Sequence, residues 1–238
     1  ALILYGDLDI SIIDSLPPGR QSIDTFAVNS SYRERIYNFA KKEIEKGRQV
    51  YIICAMVEEN EKIEAESVLK YAEGLRNTPL GDRRIAVVHG KMRSEEKDGI
   101  LKDFAAGKTD ILVATTVIEV GINVPNATLM VIENAERFGL AQLRGRVGRG
   151  SEKSYCILIS DNKSEITRQR LKTMTKTSDG FKISETDLKL RGPGEFFGTR
   201  QHGLPALRIA NLYSDMDILR QAQRAAGEVT ENDPGLER

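Results

Sequence analysis

The chain has 238 residues, of which 40% are hydrophobic and 29% charged, and its 35 basic side chains balance its 35 acidic ones. That length suits one large domain or an ordinary domain with a small second unit, and the composition is that of a soluble globular protein. Zero net charge excludes a global basic field, so nucleic-acid contact has to come from local patches. No apolar run reaches membrane length and no signal-peptide pattern is read, so no membrane partner is expected.

Residues 1–30 hold apolar patches broken by Leu16-Pro-Pro-Gly19, read as an irregular stretch before a strand at 22–28. A helix follows, with Ser31 and Glu34 spaced as a capping box, Ile36, Phe39, Ala40 and Ile44 on one face, and Gly47 as its stop. Residues 50–57 are a continuous apolar run of strand length, and a polar helix at 61–76 turns Val68, Leu69, Ala72 and Leu75 inward. The pattern then repeats. Residues 85–88 form a strand, Ser94 caps a helix that buries Ile100, Leu101 and Phe104, and Gly107 closes it. Further strands are expected at 110–116, 127–133 and 155–160, with an arginine-bearing helix at 140–149.

Runs apolar throughout suit strands covered on both faces, and their alternation with helices argues for an α/β domain with a doubly wound parallel sheet. In such a sheet ligands collect at the carboxyl ends of the strands, which directs attention to His89-Gly90, to Thr115-Thr116 and to the turn before Gln142. Cys54 and Cys156 sit within apolar runs without a His or Cys at metal spacing, as reduced core residues of a cytoplasmic protein do. Past Asp161 the pattern becomes helix, turn and loop. Residues 165–177 are basic, Asp179-Gly180 signals a turn, and 185–190 offers a second short helix that pairs with the first as a hairpin. The basic excess here reads as a modest patch or a solvated helix surface. The expected division is 1–162 for the sheet lobe and 163–238 for hairpin, loop and C-terminal helix.

The most concentrated chemistry lies in Gln142-Leu-Arg-Gly-Arg-Val-Gly-Arg-Gly150. A helix through it places Gln142, Arg146 and Arg149 at i, i+4 and i+7, on one face. Two permanently charged, planar donors a turn apart suit a phosphoryl group, whereas the alternative is a solvated basic face paired with carboxylates. Gly145 and Gly148 cost helix stability, so close approach of backbone or ligand is expected there, and Gly150 is a natural helix stop. Thr115 and Thr116, in the turn after a buried strand, can grip a phosphodiester backbone without reading bases, or else cap a short helix. His89-Gly90, beside Lys91 and Arg93, suits a phosphate contact or a simple hydrogen-bonded turn.

Nowhere does a Gly-rich segment end in Gly-Lys-Ser/Thr, and no paired acidic motif offers to hold magnesium. The arginines therefore have no complete nucleotide site of their own. They read as fingers reaching into a site supplied by another domain.

Ala114-Thr-Thr-Val-Ile-Glu-Val-Gly-Ile-Asn-Val-Pro125 and the arginine segment resemble motifs V and VI of superfamily 2 helicases. Arg191-Gly-Pro-Gly-Glu-Phe-Phe-Gly-Thr-Arg-Gln-His-Gly203 is similar to the translocation motif of the RecG family, shared more loosely with Mfd-like transcription-repair translocases. The resemblance implies a RecA-like second motor lobe of an ATP-dependent translocase that remodels branched double-stranded DNA in the bacterial cytoplasm, associated with the nucleoid. It implies that ATP and Mg2+ are bound mainly by an N-terminal motor lobe, and that a wedge domain also belongs to the protein. On this likeness Arg146 and Arg149, headed by Gln142, meet the γ-phosphate. Gly121 and Asn123 line the nucleotide, and His89, Gly90, Thr115 and Thr116 contact DNA. Arg191, Glu195, Arg200 and Gln201 couple lobe closure to duplex movement. The chain alone is expected to be inactive, being a fragment without a phosphate loop. The rivals are an Mfd-like translocase and a non-catalytic RecA-like module that binds DNA or protein. One departure from the family pattern stands out: the approach from Arg137-Phe-Gly-Leu140 to Gln142 is about three residues short, which would rotate the arginine helix by most of a turn.

Overall fold

The computed structural model describes residues 22–54, 61–115, 124–138, 143–180, 182, 183, 186 and 216–233. The chain divides into two compact units, one spanning Pro17–Phe196 and the other formed by Ala1–Leu16 with Phe197–Arg238. Six strands of the larger unit form one sheet: β1 (Ile23–Val28), β2 (Gln49–Cys54), β3 (Ile85–Val88), β4 (Ile111–Ala114), β5 (Ala127–Glu133) and β6 (Ser154–Ile159). Their order is β1-β6-β5-β2-β4-β3 and every ladder is parallel. β2, β4 and β5 are buried almost end to end, as their unbroken apolar sequences require of strands covered on both faces.

The pleat sorts these side chains into two layers. Val50, Ile52, Ile111, Val113, Leu129, Val131, Ile157 and Ile159 pack against α1 (Arg33–Glu45) and α2 (Glu61–Gly74), which lie on one face. Tyr51, Ile53, Leu112, Ala114, Met130, Ile132, Cys156 and Leu158 face the other way, against α3 (Ser94–Ala105), Val147 and α4 (Glu165–Lys176). Each fully buried Ile or Leu in these layers contributes roughly 1.5–3 kcal/mol of burial free energy. In the second unit the described element is α5 (Met216–Asn232).

Helix starts and a few faces depart from expectation. Asn29, not Ser31, caps the first helical stretch: its Oδ1 accepts from the Ser31 backbone N–H at 3.1 Å and opens a 3-10 turn over Ser30–Tyr32 ahead of α1. Arg33 through Glu45 then continue without a side-chain cap at Tyr32. Ser94 is the first residue of α3 rather than its cap, and Arg93 before it provides no capping bond. Leu69 points outward at 47% exposure while Val68, Ala72 and Leu75 are buried. Gly47 and Gly107 do close their helices, with φ of 81° and 74°. The strand expected at 50–57 is ordered to Cys54, and 55–60 lie outside the described residues.

The arginine helix is the largest correction. Among the described residues, only Leu143 and Arg144 are helical; a turn takes over at Gly145, and Gly148 adopts φ 73°. The helical course thus stops well before Gly150, the expected stop, and the left-handed glycine at 148 keeps it from resuming. Gly150 makes a close approach: a Cβ on it would lie 2.6 Å from the Pro125 carbonyl oxygen.

Candidate nucleic-acid and nucleotide-facing edge

The carboxyl ends of the strands present a row of polar residues whose two halves differ. On the β5 side, Glu133 ends its strand at 3% exposure. Arg33, the first residue of α1, donates to it twice, Nε to Oε1 at 3.0 Å and an Nη to Oε2 at 2.6 Å. Tyr71 of α2 adds its hydroxyl at 2.9 Å, and the Tyr37 hydroxyl lies 3.1 Å from that of Tyr71. Burial first, then the Glu133 carboxylate, push the Tyr71 phenol far above its ordinary value, so it stays protonated and donates. Asn134 follows in a left-handed conformation, φ 49°, and turns the chain out of the sheet.

The β3–β4 side is different. Thr115, just past β4, is 1% exposed, and its backbone N–H donates to the Val88 carbonyl at 3.2 Å, beside His89. His89 is 9% exposed. The Thr115 Oγ1 and the His89 Nδ1 are both buried and both lack a hydrogen-bond partner. Buried polar atoms are nearly always paired, so these two, at the ends of adjoining strands, are exceptions. The Gly90 carbonyl, next in line, accepts from Lys97 Nζ at 2.8 Å.

The arginine segment crosses the sheet face that carries Tyr51, and Val147 is its anchor, fully buried among Tyr51, Phe104, Met130 and Leu158. Burial raises the Tyr51 phenol to about 12, and the charges of Arg149 and Arg146 oppose that rise. Arg149 is exposed and donates from Nε to the Gly145 carbonyl at 3.3 Å; Arg146 is half-buried. The structure thus carries Arg146 and Arg149 on a tight turn instead of on a helix. Gln142, Gly121, Asn123 and Thr116 lie outside the described residues, as do Arg191, Glu195, Arg200 and Gln201 of the expected coupling loop.

Two arginines that the sequence reading passed over turn out to be structural. Arg144 is 6% exposed and donates to the carbonyls of Met174 and Thr177 at 2.9 Å each, satisfying the C-terminus of α4. Arg170, read as part of a solvated basic surface, is buried and donates to the carbonyls of Glu136 and Phe138. Its spacing was the available signal: Thr167, Arg170, Leu171 and Met174 recur at i, i+3, i+4 and i+7, the inward face of α4. Both thiols are raised to about 12 by burial, Cys54 also by Glu133, which suits inert core residues. Among the described residues, no group of three or more His, Cys, Asp or Glu side chains is placed to hold a metal ion, and no helix is long and apolar enough to cross a membrane.

Residues 32–151 match the helicase conserved C-terminal domain, and the chain belongs to that family. Residues 177–238 match the C-terminal part of domain 3 of the ATP-dependent DNA helicase RecG. Curated ATP-dependent DNA helicases RecG are similar along the whole chain. The Synechocystis protein is 49% identical over 100% of this chain and 29% of its own length, and that of Thermotoga maritima is 46% identical over 96% and 30%. The Bacillus subtilis protein is 44% identical over 98% of this chain and 35% of its own length. The chain therefore spans about a third of the relatives it matches. A solved structure of RecG bound to a three-way DNA junction superposes with a TM-score of 0.71 at 44% identity, covering 90% of this chain and 28% of that one.

Proposed function

We propose that this chain is the second motor lobe of an ATP-dependent helicase that translocates on double-stranded DNA and remodels branched structures such as stalled forks and four-way junctions, in recombination and repair. The observation that carries this reading is the likeness to RecG on a three-way junction, which extends over nine-tenths of the chain. An Mfd-like translocase and a non-catalytic binding module are less well supported, because the curated relatives that match along the whole chain are RecG helicases.

In this reading Arg146 and Arg149 reach from the turn at Gly145–Gly148 toward the γ-phosphate, with Gln142, Gly121 and Asn123 on the same nucleotide-facing side. Their charge offsets that which spreads over the transferring phosphoryl group, an effect worth about 10³–10⁵ in rate in well-studied NTPases. His89, Gly90, Thr115 and Thr116 hold the DNA backbone. The unpaired Thr115 Oγ1 has a proton to donate to a phosphate oxygen, and so has His89 Nδ1 in the tautomer that carries its hydrogen there. Arg191, Glu195, Arg200 and Gln201 couple lobe closure to movement of the duplex.

ATP and magnesium belong mainly to an upstream motor lobe. The residues described here suit arginine donation better than metal binding, since the buried Glu133 carboxylate is already taken up by Arg33 and Tyr71. A wedge domain completes the protein, which works in the bacterial cytoplasm on nucleoid DNA. The test is a pair of assays on a helicase carrying this lobe. Arg149→Ala abolishes DNA-stimulated ATP turnover and leaves DNA binding intact, and the 238-residue chain alone hydrolyses no ATP. Equal loss of turnover and binding, or ATPase activity in the isolated chain, overturns the reading.

A further inference from the structure

Lys97 is in an unusual place for a cation. It is the fourth residue of α3, where the exposed peptide N–H groups make the helix end positive and disfavour a lysine. Side chains on a helix lean toward its N-terminus, so the Lys97 chain runs back over the first turn and its ammonium reaches the Gly90 carbonyl at 2.8 Å in a half-buried position. The same turn is closed from within by the Met92 backbone N–H, which donates to the His89 carbonyl at 3.2 Å. Two bonds thus fix residues 89–92, and directly behind them lie the unpartnered His89 Nδ1 and Thr115 Oγ1. Lys91 and Arg93, on the same stretch, are exposed.

From this geometry we propose that Lys97 is a positioning residue for DNA binding: its ammonium latches the Gly90 carbonyl and so aims the His89 ring, beside Thr115, at a phosphodiester oxygen. The proposal rests on the reading of His89 and Thr115 as backbone contacts. It assigns Lys97 a role that its charge alone would not suggest. A lysine beside a DNA-binding edge is ordinarily taken as a phosphate partner, but this one directs one of its three donors to a carbonyl inside the lobe. When the latch is removed, the turn relaxes, the buried imidazole nitrogen finds water, and the contact it is held to make weakens.

Salt dependence separates a latch from a phosphate contact. Each phosphate neutralised by a cationic side chain steepens the slope of log K against log salt by about 0.9. A latch contributes affinity without contributing to that slope. In a helicase carrying this lobe, Lys97→Met is expected to weaken binding to a forked duplex roughly three- to tenfold at every salt concentration, the size of a lost hydrogen bond. The slope stays unchanged, and the His89 imidazole nitrogen resonances shift. Lys97→Arg, which keeps a donor, recovers most of the affinity, and matching circular dichroism and thermal midpoints for all three forms exclude a folding defect. A slope shallower by about 0.9 for Lys97→Met makes Lys97 a phosphate contact and overturns the proposal, as does unchanged affinity. His89→Ala and Thr115→Val test the underlying reading separately. If neither weakens binding, that reading fails; if both do and Lys97→Met does not, only the latch fails.

Discussion

The two ends of the strand edge are built on opposite terms. Around Glu133, the carboxylate meets three donor atoms from two helices, and the neighbouring hydroxyls close the network. Around Thr115 and His89, two buried polar atoms meet nothing. By the general rule for open α/β sheets, a ligand would collect where β2 and β5 lie side by side, since their outgoing connections run to opposite faces. In this lobe that place is filled by its own side chains, and the unpaired atoms lie at the ends of β4 and β3, the next two strands past β2. Satisfied groups hold the lobe together, and unsatisfied or exposed ones are held ready for something else.

That contrast predicts a division between effects on stability and effects on activity. The largest expected effect is on turnover. Among the described residues Arg149 bonds to the Gly145 carbonyl of its own turn, so Arg149→Ala should lower ATP turnover of the whole enzyme by about 10³-fold or more while leaving the urea midpoint unchanged. A fall in that midpoint would move Arg149 into the satisfied class. Next comes Glu133→Ala, which leaves the Tyr71 hydroxyl with Tyr37 as its partner and removes the Arg33 partner. Because Arg33 can turn its exposed side chain to water, the expected loss is about 2–3 kcal/mol, read from urea denaturation, with DNA affinity little changed.

Thr115→Val should go the other way. It replaces an unsatisfied buried hydroxyl with a methyl of the same shape, so the lobe gains up to about 1 kcal/mol, while DNA binding weakens. Lower stability would mean that the hydroxyl has a partner within the lobe. The smallest effect concerns Asp110 at the surface. Burial raises its carboxyl, but the side-chain and backbone bonds from Arg84 together outweigh that and hold it below its ordinary value. A depressed carboxyl contributes stability above its unfolded pKa of roughly 3.9 and loses it as pH falls through the folded value. Asp110→Asn should therefore flatten the acid limb of the stability profile slightly and leave the β5 network and DNA binding alone.

The strands were legible because covered strands leave little choice: residues 85–88 are apolar throughout, 127–133 are apolar but for Thr128 and the terminal Glu133, and both formed where the pattern put them. Helix starts were less so, since Asn29 and Ser31 both offer a capping oxygen and only the 3-10 turn ahead of α1 decides between them. The arginine pair was legible as a pair, and its helix was not, because a glycine that weakens a helix can equally end it in a left-handed conformation. Arg33, Lys97, Arg144 and Arg170 escaped notice for one reason. Each bonds to a group far along the chain or back over its own helix end, and charge in a sequence does not reveal whether its partner is water, phosphate or a carbonyl.

Gly150 has a consequence for how the lobe tolerates change. With the Pro125 carbonyl oxygen 2.6 Å from where a methyl would stand, position 150 admits one amino acid unless the backbone of the preceding segment gives way. The stretch that leads into β5 and the end of the arginine turn therefore lie backbone against backbone, and a side chain of any size at position 150 would push the two apart.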